Sequence, residues 1–143
     1  MDTWRQAVII EAETWLRTPW HHRARSKGAG VDCAQYLIGV YSGAGLVEAF
    51  DTGEYPSDWM LHTESELFLP WIDKYMVQVE SPEMGDTILW KFGRGFSHAA
   101  IVYDYPHIIH AYRKEQAVVF GDASVKELSR RTKRYYTLKR GAV

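Results

Sequence analysis

The stretch Thr87–Tyr112 reads TILWKF, GRG, FSHAAIVY, DYP, HIIHAY. Apolar residues recur here with a period of two between short Gly, Asp and Pro turns. That pattern predicts strands over Thr87–Phe92, Ser97–Tyr103 and His107–Tyr112, joined by tight turns at 93–95 and 104–106. The same period continues on both sides. It predicts further strands over Met76–Glu80, Ala117–Phe120 and Tyr135–Leu138, with a short helical segment at Ser124–Arg131.

Upstream of residue 76 the period is helical. Trp4, Val8, Ala12 and Trp15–Leu16 predict a helix over 3–17, ended by Thr18–Pro19. Cys33, Tyr36–Leu37, Val40–Tyr41 and Ala44 predict a second helix over Asp32–Ala44, apolar on most of its surface and therefore central. A third helical region is predicted over Ser57–Tyr75, capped at Thr63 and kinked or restarted at Pro70. Trp20–Gly30 reads as a basic, glycine-rich loop, and Leu46–Pro56 as another loop. Helices first and an antiparallel meander second predict an α+β fold, with N-terminal helices packed on an antiparallel sheet of about five or six strands. The length of 143 residues predicts a single domain over 1–143.

The totals narrow the function classes. Seventeen basic and 18 acidic residues give a net charge of −1, which argues against a nucleic-acid partner. One cysteine excludes an internal disulfide and a cysteine-based zinc cage. No stretch approaches the ~20 apolar residues that would insert in a membrane. Met1–Arg5 lacks the layout of a signal peptide, so the expectation is synthesis in the cytoplasm, with a route other than Sec export if the protein acts outside it.

Cys33 stands where the basic loop gives way to the second helix. A thiol in a first helical turn faces unpaired backbone N–H groups and the positive end of the helix dipole, and both favour thiolate. A small buried apolar residue fits the same periodicity. Strand alternation places His98 with Ala100 and Val102, and His110 with Ile108 and Tyr112, while His107 lies on the opposite face with Ile109 and Ala111. A hairpin through 104–106 then brings His98 and His110 together. Packing that face against the start of the second helix predicts a nucleophile, a base and a third polar group: Cys33, His98 and His110. Taken singly, each histidine reads equally as a hydrogen-bonded residue on a sheet. A zinc site from His107, His110 and Cys33 is disfavoured because the two histidines face opposite ways. His21 and His22 read as surface loop residues, and His62 has no partner in view.

The ordered set Thr18–Pro19–Trp20, Gly30–Val31–Asp32–Cys33–Ala34, Gly85–Asp86–Thr87–Ile88–Leu89, Ser97–His98–Ala99–Ala100–Ile101–Val102 and Ile109–His110–Ala111 resembles the NlpC-type papain-like cysteine peptidases. It looks closest to their phage-tail and gene-transfer-agent branch, and the resemblance runs over about residues 3–138. It implies Cys33 as nucleophile, His98 as base and His110 as third polar residue. It implies a peptidoglycan stem peptide as substrate, cut commonly between D-glutamate and a diamino acid. It also implies no metal or organic cofactor, phage-like tail proteins as partners, and a tail-associated protein acting at the cell wall. Asp32 matches the aspartate before the cysteine and is expected to cap the helix or anchor the loop. Two departures fall beside the cysteine. Ala34–Gln35 stand where many members carry Ser–Gly, and Trp20 stands where many carry tyrosine, so the substrate subsite is expected to differ. These departures leave a second reading, a structural tail-tip or assembly protein with the same fold and little or no activity. A third is an amidase cutting the sugar–peptide junction.

Overall fold

In a computed structural model of the chain, residues 3–48, 65–92 and 95–139 are described. Within them, helix α2 (Cys33–Gly43) is the centre of the packing, with residues 33–41 all buried. Its ends follow from local chemistry. Asp32 is the N-cap, and its carboxylate accepts the backbone N–H of Gln35. At the other end Gly45 takes a left-handed φ of 78°, and the N–H of Leu46 donates to the carbonyl of Tyr41, closing a Schellman turn.

Helix α1 (Thr3–Thr14) crosses α2 at close range. It stops three residues before the expected end. The turn after it tightens to i→i−3 bonds at Trp15 and Leu16, and Arg17 goes left-handed with φ 73°. Trp15 packs edge-on against Tyr36, with ring centroids 6.0 Å apart. Gly39 makes that approach possible, because a Cβ there would lie 2.6 Å from Trp15 Cζ2. Gly39→Ala is therefore expected to destabilise the fold by about 1–3 kcal/mol, despite alanine's better helix propensity. Urea unfolding checks this, and an unchanged or raised midpoint would contradict the packing.

Helix α3 (Ser65–Tyr75) contains Pro70 without breaking there. The proline forfeits one backbone bond, and the helix continues into the buried Trp71 and Ile72. The expected residues 57–64, with His62 and the cap at Thr63, lie outside the described residues. So do 49–56 of the loop before them and Gly93–Arg94 of the hairpin turn.

A ribbon of β1 (Arg25–Ser26) and β2 (Gly30–Val31) occupies the segment expected to be loop. The main sheet has six antiparallel strands: β3 (Met76–Val79), β4 (Thr87–Phe92), β5 (Gly95–Asp104), β6 (His107–Tyr112), β7 (Ala117–Asp122) and β8 (Lys133–Leu138). Their order is β3-β8-β4-β5-β6-β7. The α+β class and strand number agree with expectation, but the meander does not hold throughout. After helix α4 (Lys126–Arg130), β8 returns between β3 and β4, pairing Tyr135 with Val79 and Arg134 with Leu89.

Both faces of the sheet carry buried residues. Leu89, Ala99, Ile101, Ile109 and Ala111 pack under α1, α2 and α3. Ile88, Trp90, Ala100, Val102 and Ile108 form a second core with Leu128 of α4, whose carbonyl accepts the Trp90 indole N–H.

Candidate active site

The site begins with the cap of α2. Asp32 is fully buried and holds two backbone groups, the Gln35 N–H at 2.9 Å and the Arg23 N–H at 2.8 Å. Arg23 takes a left-handed φ of 63° to present that N–H. Asp32 thus both caps the helix and anchors the basic loop. Cys33 follows at the first helical position and is 2% exposed.

His98 and His110 share a face, as alternation predicts. His98 Nε2 lies 2.8 Å from His110 Nδ1. Their face, however, is not the one that packs on α2. His98 touches Trp90, Phe92 and Tyr112, on the α4 side of the sheet, while its neighbour Ala99 packs under the helices. The expectation that the histidine face lies against the α2 terminus is corrected here.

Two irregularities still bring Cys33 and His98 to one cleft. A bulge in β5 pairs Trp90 with His98 but Lys91 with Phe96, taking up one extra residue and sending Phe96 to the helix side. The β5–β6 ladder also runs only from Ile101↔Ile109 to Asp104↔His107 among the described residues, so the two strands part toward His98 and His110. The start of α2 reaches this parting, where the backbone of Ala99 hydrogen-bonds Cys33. Cys33 and His98 then line one cleft of about 220 Å³, with Trp20, Phe92, Tyr112, Arg113, Lys114 and Glu127.

Burial decides the resting charge of this site. Burial first, and then the Asp32 carboxylate, push the Cys33 thiol far above the ordinary range; hydrogen bonds from the backbone of Ala99, Ala34 and Cys33 act the other way without prevailing. His98, 3% exposed, is held down to about 3 by burial and by the Arg131 guanidinium. His110 is pushed well down by burial and by His98. Burial thus favours the thiol and the neutral imidazoles, against the helix start, which favours thiolate.

Both histidines therefore link stability to pH. Unfolded, each takes up a proton as pH falls through 6.5; folded, each stays neutral to much lower pH, His98 to about 3. Depressed folded values give stability that is intact above 6.5 and lost below it. Each histidine contributes a slope of up to about 1.4 kcal/mol per pH unit. Denaturant midpoints measured from pH 7.5 to 4.5 should fall more steeply for the wild type than for His98→Gln. Equal slopes would mean that His98 is not held neutral.

The other sequence-predicted residues divide. Trp20 is in the cleft wall, half-buried, with the Arg113 guanidinium 5.3 Å from its ring centroid. Ala34 and Gln35 are buried and are not among the described cleft residues. His107 is exposed on the other face of β6 from His110.

No family model matches the sequence, and no curated protein matches it. Solved structures do resemble it. One is the NlpC/p60 domain of the peptidoglycan hydrolase SagA, with TM-score 0.59 and 20% identity over 91% of this chain and 96% of that one. A lipoprotein-like NLP/P60 protein from Staphylococcus aureus gives TM-score 0.66 at 19% identity, over 94% of this chain and 41% of that one. The N-acetylmuramoyl-L-alanine amidase from Bacteroides uniformis gives TM-score 0.68 at 10% identity, over 97% of this chain and all of that one. The chain has the NlpC/p60 fold. It spans nearly all of two of these structures and about two-fifths of the S. aureus one.

Within this NlpC/p60 fold, several cleft residues carry no separate sequence signal. Tyr112 is the exception, since alternation places it beside His110, and the two rings stack at 4.5 Å. Arg113 and Lys114 belong to the polar turn after β6, and Glu127 comes from α4. The Tyr112 hydroxyl donates to Glu127 at 2.5 Å, which holds that carboxylate low, with Arg131 and Lys114 adding to it. Only tertiary packing brings these groups to Cys33.

Proposed function

We propose that this protein is a cell-wall hydrolase that cleaves amide bonds in peptidoglycan stem peptides by acyl transfer through Cys33. The observation that carries the reading is the convergence of Cys33 and His98 in one cleft, with His98 Nε2 held by His110. The NlpC/p60 fold, shared with structures described as peptidoglycan hydrolases and as an amidase, supports the substrate class.

Because His110 occupies Nε2 of His98, Nδ1 is the ring nitrogen left for the thiol. His98 Nδ1 takes the Cys33 proton as sulfur attacks the scissile carbonyl, so the two charges appear together and offset each other. The backbone N–H of Cys33, at the helix start, faces the developing oxyanion. His98 returns the proton to the leaving amine, and a thioester forms on Cys33. Water, deprotonated by His98, then releases the acid and restores the thiol. Trp20, Phe92 and Tyr112 give the cleft flat apolar walls, and Arg113 and Lys114 place cations at its edge, which suits a peptide carrying free carboxylates.

The bond proposed is that between D-glutamate and the diamino acid. Mass spectrometry of fragments from purified peptidoglycan tests it: peptides with a new amino terminus at the diamino acid are expected. Intact stem peptides freed from the sugar would assign the amidase bond instead, and no fragments at all would overturn the reading. The motif resemblance also supports a setting in a phage-like tail or gene-transfer particle. Proteomics of purified particles checks that setting, and absence of the protein from them contradicts it.

A further inference from the structure

His110 has two working ends. Nδ1 meets His98 on the neighbouring strand β5. The ring extends the other way over β7, where a Cβ on Gly121 would lie 2.7 Å from Nε2. Gly121 pairs with Ile108 and Val119 with His110, so Gly121 sits diagonally beside His110 on the same face. A second cleft of about 310 Å³ opens there, lined by His110, Glu115, Gly121, Asp122 and Lys126 among others. His110 is 2% exposed, and among the described residues Nε2 has no hydrogen-bond partner.

We propose that this back cleft sets the tautomer of the histidine pair by supplying a hydrogen-bond acceptor, water held near Glu115 and Asp122, to His110 Nε2–H, and that Gly121 is the positioning residue that keeps Nε2 open to it. One hydrogen lies between His98 Nε2 and His110 Nδ1. For His98 to receive a proton at Nδ1, that hydrogen must belong to His98, and His110 Nδ1 must accept it. The His110 hydrogen is then on Nε2, buried unless the back cleft receives it. In the opposite arrangement His110 donates from Nδ1, and His98 carries its hydrogen on Nδ1, leaving no lone pair there to receive the Cys33 proton. The front cleft reacts only when the back cleft accepts. The consequence for turnover rests on the proposed acyl transfer; the tautomer itself does not.

Nitrogen-15 NMR of histidine-labelled wild-type protein at pH 7 reads the tautomers directly. Both His98 and His110 are expected as Nε2–H forms, with the His110 N–H exchanging with water faster than the His98 N–H. His110 found as the Nδ1–H form, or an Nε2–H that exchanges only on global unfolding, overturns the proposal. Gly121→Ala is expected to lower kcat at least tenfold with KM within twofold, and to alter the paired histidine shifts. A variant with wild-type kcat and unchanged shifts overturns the role of Gly121. A wild type without amide cleavage would remove the proposed function, while the NMR assignment still decides the tautomer.

Discussion

His98→Ala is expected to lower kcat for stem-peptide cleavage by about 10²–10⁴-fold, the range that a positioned general base supplies. The loss should fall on kcat with KM little changed, because His98 lies under the cleft against Trp90, Phe92 and His110 rather than at its rim. Folding should survive. The alanine removes a buried neutral ring, and the carbonyl bond from Trp90 to Leu128 that ties α4 to the sheet remains. Steady-state kinetics on a soluble stem peptide, with circular dichroism as a fold check, decides the point. A folded variant within threefold of wild-type kcat would assign proton transfer to another group.

Asp32→Ala is expected to act on stability and on the thiol in opposite senses. It removes the α2 cap, a loss of about 0.5–2 kcal/mol. It also removes the acceptor of the part-buried Arg23 N–H, a further loss of about 0.5–1.5 kcal/mol. Together these should lower the unfolding free energy by about 1–3.5 kcal/mol. The same carboxylate is one cause of the raised Cys33 pKa, so its removal should bring that pKa down. Alkylation of Cys33 at a fixed mildly alkaline pH should then be faster in the variant under native conditions, with hydrogen exchange used to confirm that α2 is still formed. A variant as stable as wild type, or one whose folded form alkylates no faster, would contradict the double role of Asp32.

How much of this was legible before the structure depends on what each pattern encodes. Alternation names residues that share a face, and it put His98 with His110 and His107 away from them. It does not say which face meets the helices when both faces are apolar. In β5, Ala99 and Ile101 pack on one side and Ala100 and Val102 on the other, so the pattern offered no choice, and the histidine face came out opposite to expectation. The bulge at residue 97 and the parting of β5 from β6 join Cys33 to that face, and neither leaves a compositional mark. The insertion of β8 between β3 and β4 is a long-range pairing that a strand-by-strand reading does not reach. Helix α2 was legible almost to the residue because its cap, its apolar surface and its Gly45 terminus are all local features. The ionisation state of Cys33 was not, because the helix dipole is local and burial is tertiary.

The most direct test of the central claim is release of new amino groups from purified peptidoglycan by wild-type protein and by Cys33→Ala. Cys33 is the only cysteine in the chain, so the substitution removes every thiol. The account predicts steady release by the wild type and none above background by the folded variant. Equal release by both proteins would contradict it.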